Sequence, residues 1–320
     1  MTEPTVDPAL VLLLVGALTA AALWLKSGLE HLGLPALIGF LLLGLTVRCA
    51  NAGLGLFGAG DLAIIKFLGQ AGLVTLLFRV GLESNLRGLL KQLRSASLIW
   101  TADVALSGLL GYASAFYLLN LGLTSSLVVA TAFTATSVGI SVAVWQEMEA
   151  INSPAGELLI DIAELDDISA ILLMALLFAV LPQLSAQGLS AATVPLIAGQ
   201  VALFLLKFAG FGLLCFLFSL YVEKPISRYF RELESAPDPM LSIAALAFVI
   251  AALAERLGFS TAIGAFFAGL IFSRDPETVK MESSFMPIYD FFSPFFFITI
   301  GLQLDPAALM AALGPGLLLA

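Results

Sequence analysis

Asp166 and Asp167 stand side by side in a largely apolar stretch, and no Lys or Arg occurs between Arg94 and Lys207. An ionised carboxylate in hydrocarbon carries a heavy desolvation cost, so acids placed there mark ion or proton pathways. Adjacent carboxylates also resist ionising together. A site that holds a proton in one state and a cation in the next needs both properties. Hard cations favour oxygen ligands; carboxylate, hydroxyl and backbone carbonyl suit Na⁺, K⁺ or Li⁺ as well as hard divalent ions.

The acids continue upstream as Glu157, Asp161 and Glu164. At about 100° per residue these three share one helix face, Asp167 lies about 60° to one side of Glu164, and Asp166 points the opposite way. The two central acids are therefore expected to play different roles, with Asp161 and Glu164 extending an aqueous funnel toward them. The alternative is an acid ladder neutralised by partners elsewhere, Lys207 on the next span being one candidate. The span before the acids reads Ala132-Phe133-Thr134-Ala135-Thr136-Ser137-Val138-Gly139-Ile140-Ser141. Thr, Ser and Gly at midspan weaken a helix and offer hydroxyls and freed carbonyls, which membranes tolerate only where the backbone is buried in protein or lines a cavity. The same small residues would also serve close helix packing.

The elements that must position these residues follow from composition. The chain has 320 residues, 60% hydrophobic and 12% charged, with mean hydropathy +1.04. That balance defines an all-α polytopic membrane protein, with the lipid bilayer as its surroundings. The net charge of −9 comes with no basic patch for nucleic acid. Cys49 and Cys215 have no metal-site spacing, and His31 has no His partner. Phosphate loop, nucleophile–base pair, haem motif and flavin motif are all missing, so neither an enzyme nor an ATP-driven pump is expected, and no cofactor beyond the transported ions.

Apolar windows place spans near 8–26, 34–49, 62–80, 97–119, 125–145, 156–182, 193–221, 240–256, 259–273 and 285–303, with an eleventh from about 307. The N-terminal stretch carries Glu3 and Asp7 and lacks the basic region of a cleaved signal, so the first run is read as a retained span. Nine basic residues fall on loops of one side (Lys26, Arg87, Lys91, Arg94, Lys224, Arg228, Arg231, Arg274, Lys280) and two, Arg48 and Arg256, on the other. The positive-inside rule then puts the N-terminus outside the cell membrane.

The chain also resembles itself. Residues 30–45 match residues 255–270 at seven of sixteen positions, among them Gly33/Gly258, Gly39/Gly264 and Gly44/Gly269, an offset of 225. Gly81-Leu82-Glu83 then matches Gly301-Leu302-Gln303 at an offset of 220. Seven helices separate the copies, an odd number, so they have opposite orientation, a mark of secondary transporters. Three spans follow the first copy and none complete follows the second, so the second repeat is expected to be truncated.

Five segments carry a family resemblance: Leu32-Gly33-Leu34-Pro35-Ala36-Leu37-Ile38-Gly39, Leu76-Leu77-Phe78-Arg79-Val80-Gly81-Leu82-Glu83, Thr134-Ala135-Thr136-Ser137-Val138-Gly139, Asp166-Asp167, and Phe295-Phe296-Phe297-Ile298-Thr299-Ile300-Gly301. In this order they resemble the monovalent cation:proton antiporter superfamily, in particular the NapA-type Na⁺/H⁺ antiporters and the Kef-like K⁺ efflux systems. The resemblance implies the inverted-repeat fold of NhaA and NapA, a homodimer, and an elevator-like alternation between a core and a dimerisation domain. The core would hold spans near 97–182 and 285–320, the scaffold those near 8–80 and 193–273, all within one exchanger domain. It implies that Asp167 binds cation or proton, that Asp166 occupies the position that is Asp in electrogenic members, and that Thr136 and Ser137, with Thr134 as an accessory, flank the site. Asp161 and Glu164 depart from the pattern, which has small or apolar residues there, and the lysine of electrogenic members would fall beyond residue 303. The expected activity is exchange of protons for Na⁺ or, second, K⁺. The competing expectations are a Kef-like gated K⁺ efflux module and a non-transporting sensor or assembly subunit.

Overall fold

The computed structural model describes residues 7–83, 86–135, 153–187, 193–222, 225, 239–273 and 282–319. Eleven α-helices run through them: α1 (Pro8–His31), α2 (Ala36–Leu54), α3 (Ala59–Glu83), α4 (Leu86–Ala113, followed by a π-helical turn over Ser114–Leu118), α5 (Leu123–Phe133), α6 (Pro154–Gln187), α7 (Val194–Tyr221), α8 (Pro239–Arg256), α9 (Thr261–Phe272), α10 (Glu282–Gln303) and α11 (Pro306–Leu319). Each falls on one of the eleven apolar windows. Seven helices among the described residues are long and apolar enough to cross a membrane, and α5 and α9 are shorter apolar helices. Large apolar side chains such as Leu12, Trp24, Leu206 and Met310 are at least 70% exposed. In water that would be an aggregation surface; facing acyl chains it is the ordinary exterior of a membrane protein.

The internal repeat is written into the backbone. Helix α1 ends in a Schellman turn: Gly33 has φ +69°, Gly33 N–H donates to Glu30 O at 3.1 Å, and Leu34 N–H to Leu29 O at 2.9 Å. Helix α8 ends the same way 225 residues later: Gly258 has φ +89°, Gly258 N–H donates to Glu255 O and Phe259 N–H to Ala254 O, both at 3.0 Å. Both positions need a positive φ, which glycine adopts without steric cost. The hairpins built on these turns also correspond. Gly39 of α2 packs on Leu25 and Leu29 of α1, and Gly264 of α9 packs on Ala251 and Ala254 of α8.

Packing between the copies repeats as well. A methyl group built on Gly44 would lie 3.0 Å from Gly301 Cα and run into the Ile298 carbonyl. Its counterpart Gly269 meets Gly81 Cα at 2.7 Å and the Phe78 carbonyl. Viewed from the partner helices, Gly301 faces the Leu41 carbonyl and Gly81 faces the Phe266 carbonyl. Adding 225 on α2 or 220 on α3 converts one set of contacts into the other. Helix α3 is thus packed between α9 and α10, and α10 between α2 and α3. Nine of the twelve residues of α9 are buried. At about 18 Å, α9 is shorter than a ~30 Å hydrocarbon layer, and it serves as an interior strut.

Outside this six-helix assembly (α1–α3 and α8–α10), helices α4, α5 and α6 pack on one another, with α7 against α6 and α9. Helix α10, which the resemblance groups with spans 97–182, has its extensive packing with α2 and α3. It carries Pro287 and Pro294 inside its length, where each removes a backbone donor.

Candidate functional site

The α4–α5–α6 unit carries the acid pair. Helix α6 begins at Pro154, so Asp166 lies twelve residues in, about 18 Å along the axis. Helix α5 begins at Leu123, stops at Phe133 and has Thr134 as its C-cap. Eleven residues rise about 16 Å, roughly half the hydrocarbon thickness, so α5 alone is too short to cross a bilayer. The fifth span, expected to continue to 145, is helical only to Phe133 among the described residues. Since α5 packs on both α4 and α6, the short helix and the acid-bearing helix belong to one bundle.

Asp166 is buried, at 1% exposure. Asp161, Glu164 and Asp167 lie on the α6 backbone, but their side chains fall outside the described set, as do Thr136 and Ser137 altogether. Thr134 is buried, and its Oγ1 donates to the Thr131 carbonyl at 2.7 Å. Lys207, weighed as a partner for the acids, places its ammonium beside the α8–α9 turn, 3.8 Å from where a Cβ on Gly258 would sit. That turn follows the C-terminal end of α8, which favours a cation.

One contact escapes sequence reading. Trp100 of α4 donates its indole N–H to Ser169 Oγ at 3.2 Å, and Ser169 Oγ donates to the Asp166 backbone carbonyl at 3.0 Å. Ser169 is buried. A Trp six residues after Arg94 gives no sign of its partner, because Trp100 and Ser169 are 69 apart in sequence.

Two cavities flank the α3–α10 crossing at opposite ends. One, about 300 Å³, lies among α1, α2, α3 and α10 and holds a Lys26–Asp290 ion pair at 3.0 Å. Next to it the Arg79 guanidinium sits 4.8 Å from the Tyr289 ring centroid. The other, about 530 Å³, is lined by Lys66, Gln70, Thr299 and Gln303 among others. Asp290, between Pro287 and Pro294 of α10, lines the first cavity.

An all-α inverted-repeat bundle with a buried carboxylate on a helix packed against the short α5 defines a polytopic membrane protein of the antiporter fold. The sodium/hydrogen exchanger transmembrane family matches residues 14–320, and the chain belongs to that family. It is 26% identical over 249 residues to the high-affinity Na⁺/H⁺ antiporter NhaS3 of Synechocystis, covering 78% of this chain and 52% of that protein. It is 30% identical to the glutathione-regulated potassium-efflux system protein KefC of Salmonella arizonae, over 86% of this chain and 42% of that one. The chain thus spans about half the length of these curated relatives. The structure of the sodium proton antiporter MjNhaP1 from Methanocaldococcus jannaschii superposes with a TM-score of 0.63, at 17% identity, over 96% of this chain and 74% of that one. The last comparison speaks to the fold alone.

Proposed function

We propose that this protein exchanges protons for a monovalent cation by alternating access, with proton and cation competing for Asp167 at the middle of the membrane. Na⁺ is the favoured cation and K⁺ the second. The observation that supports the reading best is Asp166, buried at 1% in α6, a helix that packs in one bundle with the short α5. A carboxylate in the membrane interior is costly to ionise, which favours either protonation or a bound cation, and competition between the two is antiport. Thr136 and Ser137 supply further oxygen ligands, Thr134 stands beside them, and Asp161 and Glu164 line the approach. Asp166 sets the charge moved per cycle.

The moving core comprises the helices near 97–182 and 285–320, and the scaffold those near 8–80 and 193–273. The mutual packing of α4, α5 and α6 supports their moving as one body. The assembled protein is a homodimer of the cell membrane with its N-terminus outside. Similarity to KefC supports a second reading, a gated K⁺ efflux module.

The test is proton release from proteoliposomes on addition of Na⁺, Li⁺ or K⁺. Cation-specific release lost in Asp167→Asn is the expected result. A K⁺-only signal that appears on gating selects the efflux module, and silence of a well-folded protein toward all three ions contradicts exchange.

A further inference from the structure

The Trp100–Ser169 contact joins α4 to the turn of α6 that bears the acid pair. An indole nitrogen can only donate, whereas a hydroxyl has one proton to give and two lone pairs to receive with. Ser169 gives its proton to the Asp166 carbonyl at 3.0 Å and receives that of Trp100 at 3.2 Å. Each bond fixes the direction of the other, so Ser169 has a single arrangement that satisfies both neighbours. Ser169 and Asp166 are buried, which leaves water little part in replacing either bond. A helix whose acids point in different directions is sensitive to rotation, since one residue corresponds to about 100°. A bond from a neighbouring helix to this turn holds that rotation.

We infer that Trp100 and Ser169 are positioning residues for cation binding: together they hold the Asp166–Asp167 turn at the azimuth that offers its carboxylate to the ion. This rests on the reading of the α6 acids as the ion site. Neither side chain touches the ion; both act through the backbone of α6.

The experiment uses the reconstituted protein and the cation concentration for half-maximal proton release. Trp100→Phe keeps an aromatic ring but loses the N–H, and Ser169→Ala loses the hydroxyl. Each should raise the half-maximal concentration by about three- to tenfold, the scale of one hydrogen bond, with the maximal rate within about twofold of wild type. The double variant should be no worse than the worse single, because the two residues act as one unit. Ser169→Thr, which keeps a hydroxyl, should restore the wild-type value. A second readout is optical. With Trp24 and Trp145 replaced by Phe, Trp100 is the remaining indole of the three. Its emission should shift saturably with Na⁺, at the same half-maximal concentration as proton release, and not with choline.

Additive effects, a fall in maximal rate without change in half-maximal concentration, or emission indifferent to a cation that does release protons would each overturn the positioning role and leave the ion site standing. A folded wild type that releases no protons with any cation overturns the site itself, and the positioning role with it. Should the two-Phe background fail to fold, the kinetic variants carry the test alone.

Discussion

At the scale of residues, Asp166 and Asp167 are adjacent yet separated by about 100° around α6, so one substitution does not stand for the other. Asp167→Asn is nearly isosteric and should abolish cation-triggered proton release while leaving the fold intact. Asp166→Asn should retain exchange but change its response to an imposed membrane potential, read in proteoliposomes with a valinomycin clamp. An identical voltage response in wild type and Asp166→Asn would remove Asp166 from the charge count. The acid pair was legible in the sequence because ionisable residues stand out in an apolar span. Trp100 was not, because its role comes from a partner that only tertiary packing supplies. The same holds for Arg48, whose guanidinium donates to the Leu302 carbonyl at the end of α10, at 2.9 Å.

At the scale of elements, the glycines divide by what their missing side chains would meet. Gly44, Gly81, Gly269 and Gly301 sit where two helix backbones touch. Alanine at any of them should cost about 1–3 kcal/mol through forced separation of the helices. The repeat predicts similar penalties for Gly44 and Gly269, and for Gly81 and Gly301, measurable as thermal unfolding midpoints in detergent. Gly28, with nothing within 4 Å, is the control: Gly28→Ala should be neutral or mildly stabilising. Helix existence was readable from apolar windows, and the α1–α2 and α8–α9 turns from their repeated Leu-Gly pairs. The stop of α5 at Phe133 was readable only as a weakness across Thr134–Ser141, because several small residues in a row do not say which one ends the helix.

At the scale of the whole molecule, two interlocked copies make one frame. The Lys26–Asp290 pair also spans the copies, but both side chains are 39% exposed. Solvent screening limits such a pair to less than about 1 kcal/mol. Lys26→Met should therefore lower the unfolding midpoint far less than Gly301→Ala, and a larger effect from the ion pair would mean that charge rather than helix crossing joins the halves. The repeat foretold which glycines correspond but not that α3 and α10 would lie against each other; that contact depends on how the copies interlock in space.

The central claim is competition between proton and cation at Asp167, and equilibrium binding of radioactive Na⁺ at a series of pH values tests it most directly. The account predicts one saturable site whose apparent Kd rises on the order of tenfold for each unit fall in pH once the protonated form dominates, with the site absent in Asp167→Asn. Na⁺ binding that is indifferent to pH, or that survives in Asp167→Asn, would contradict it.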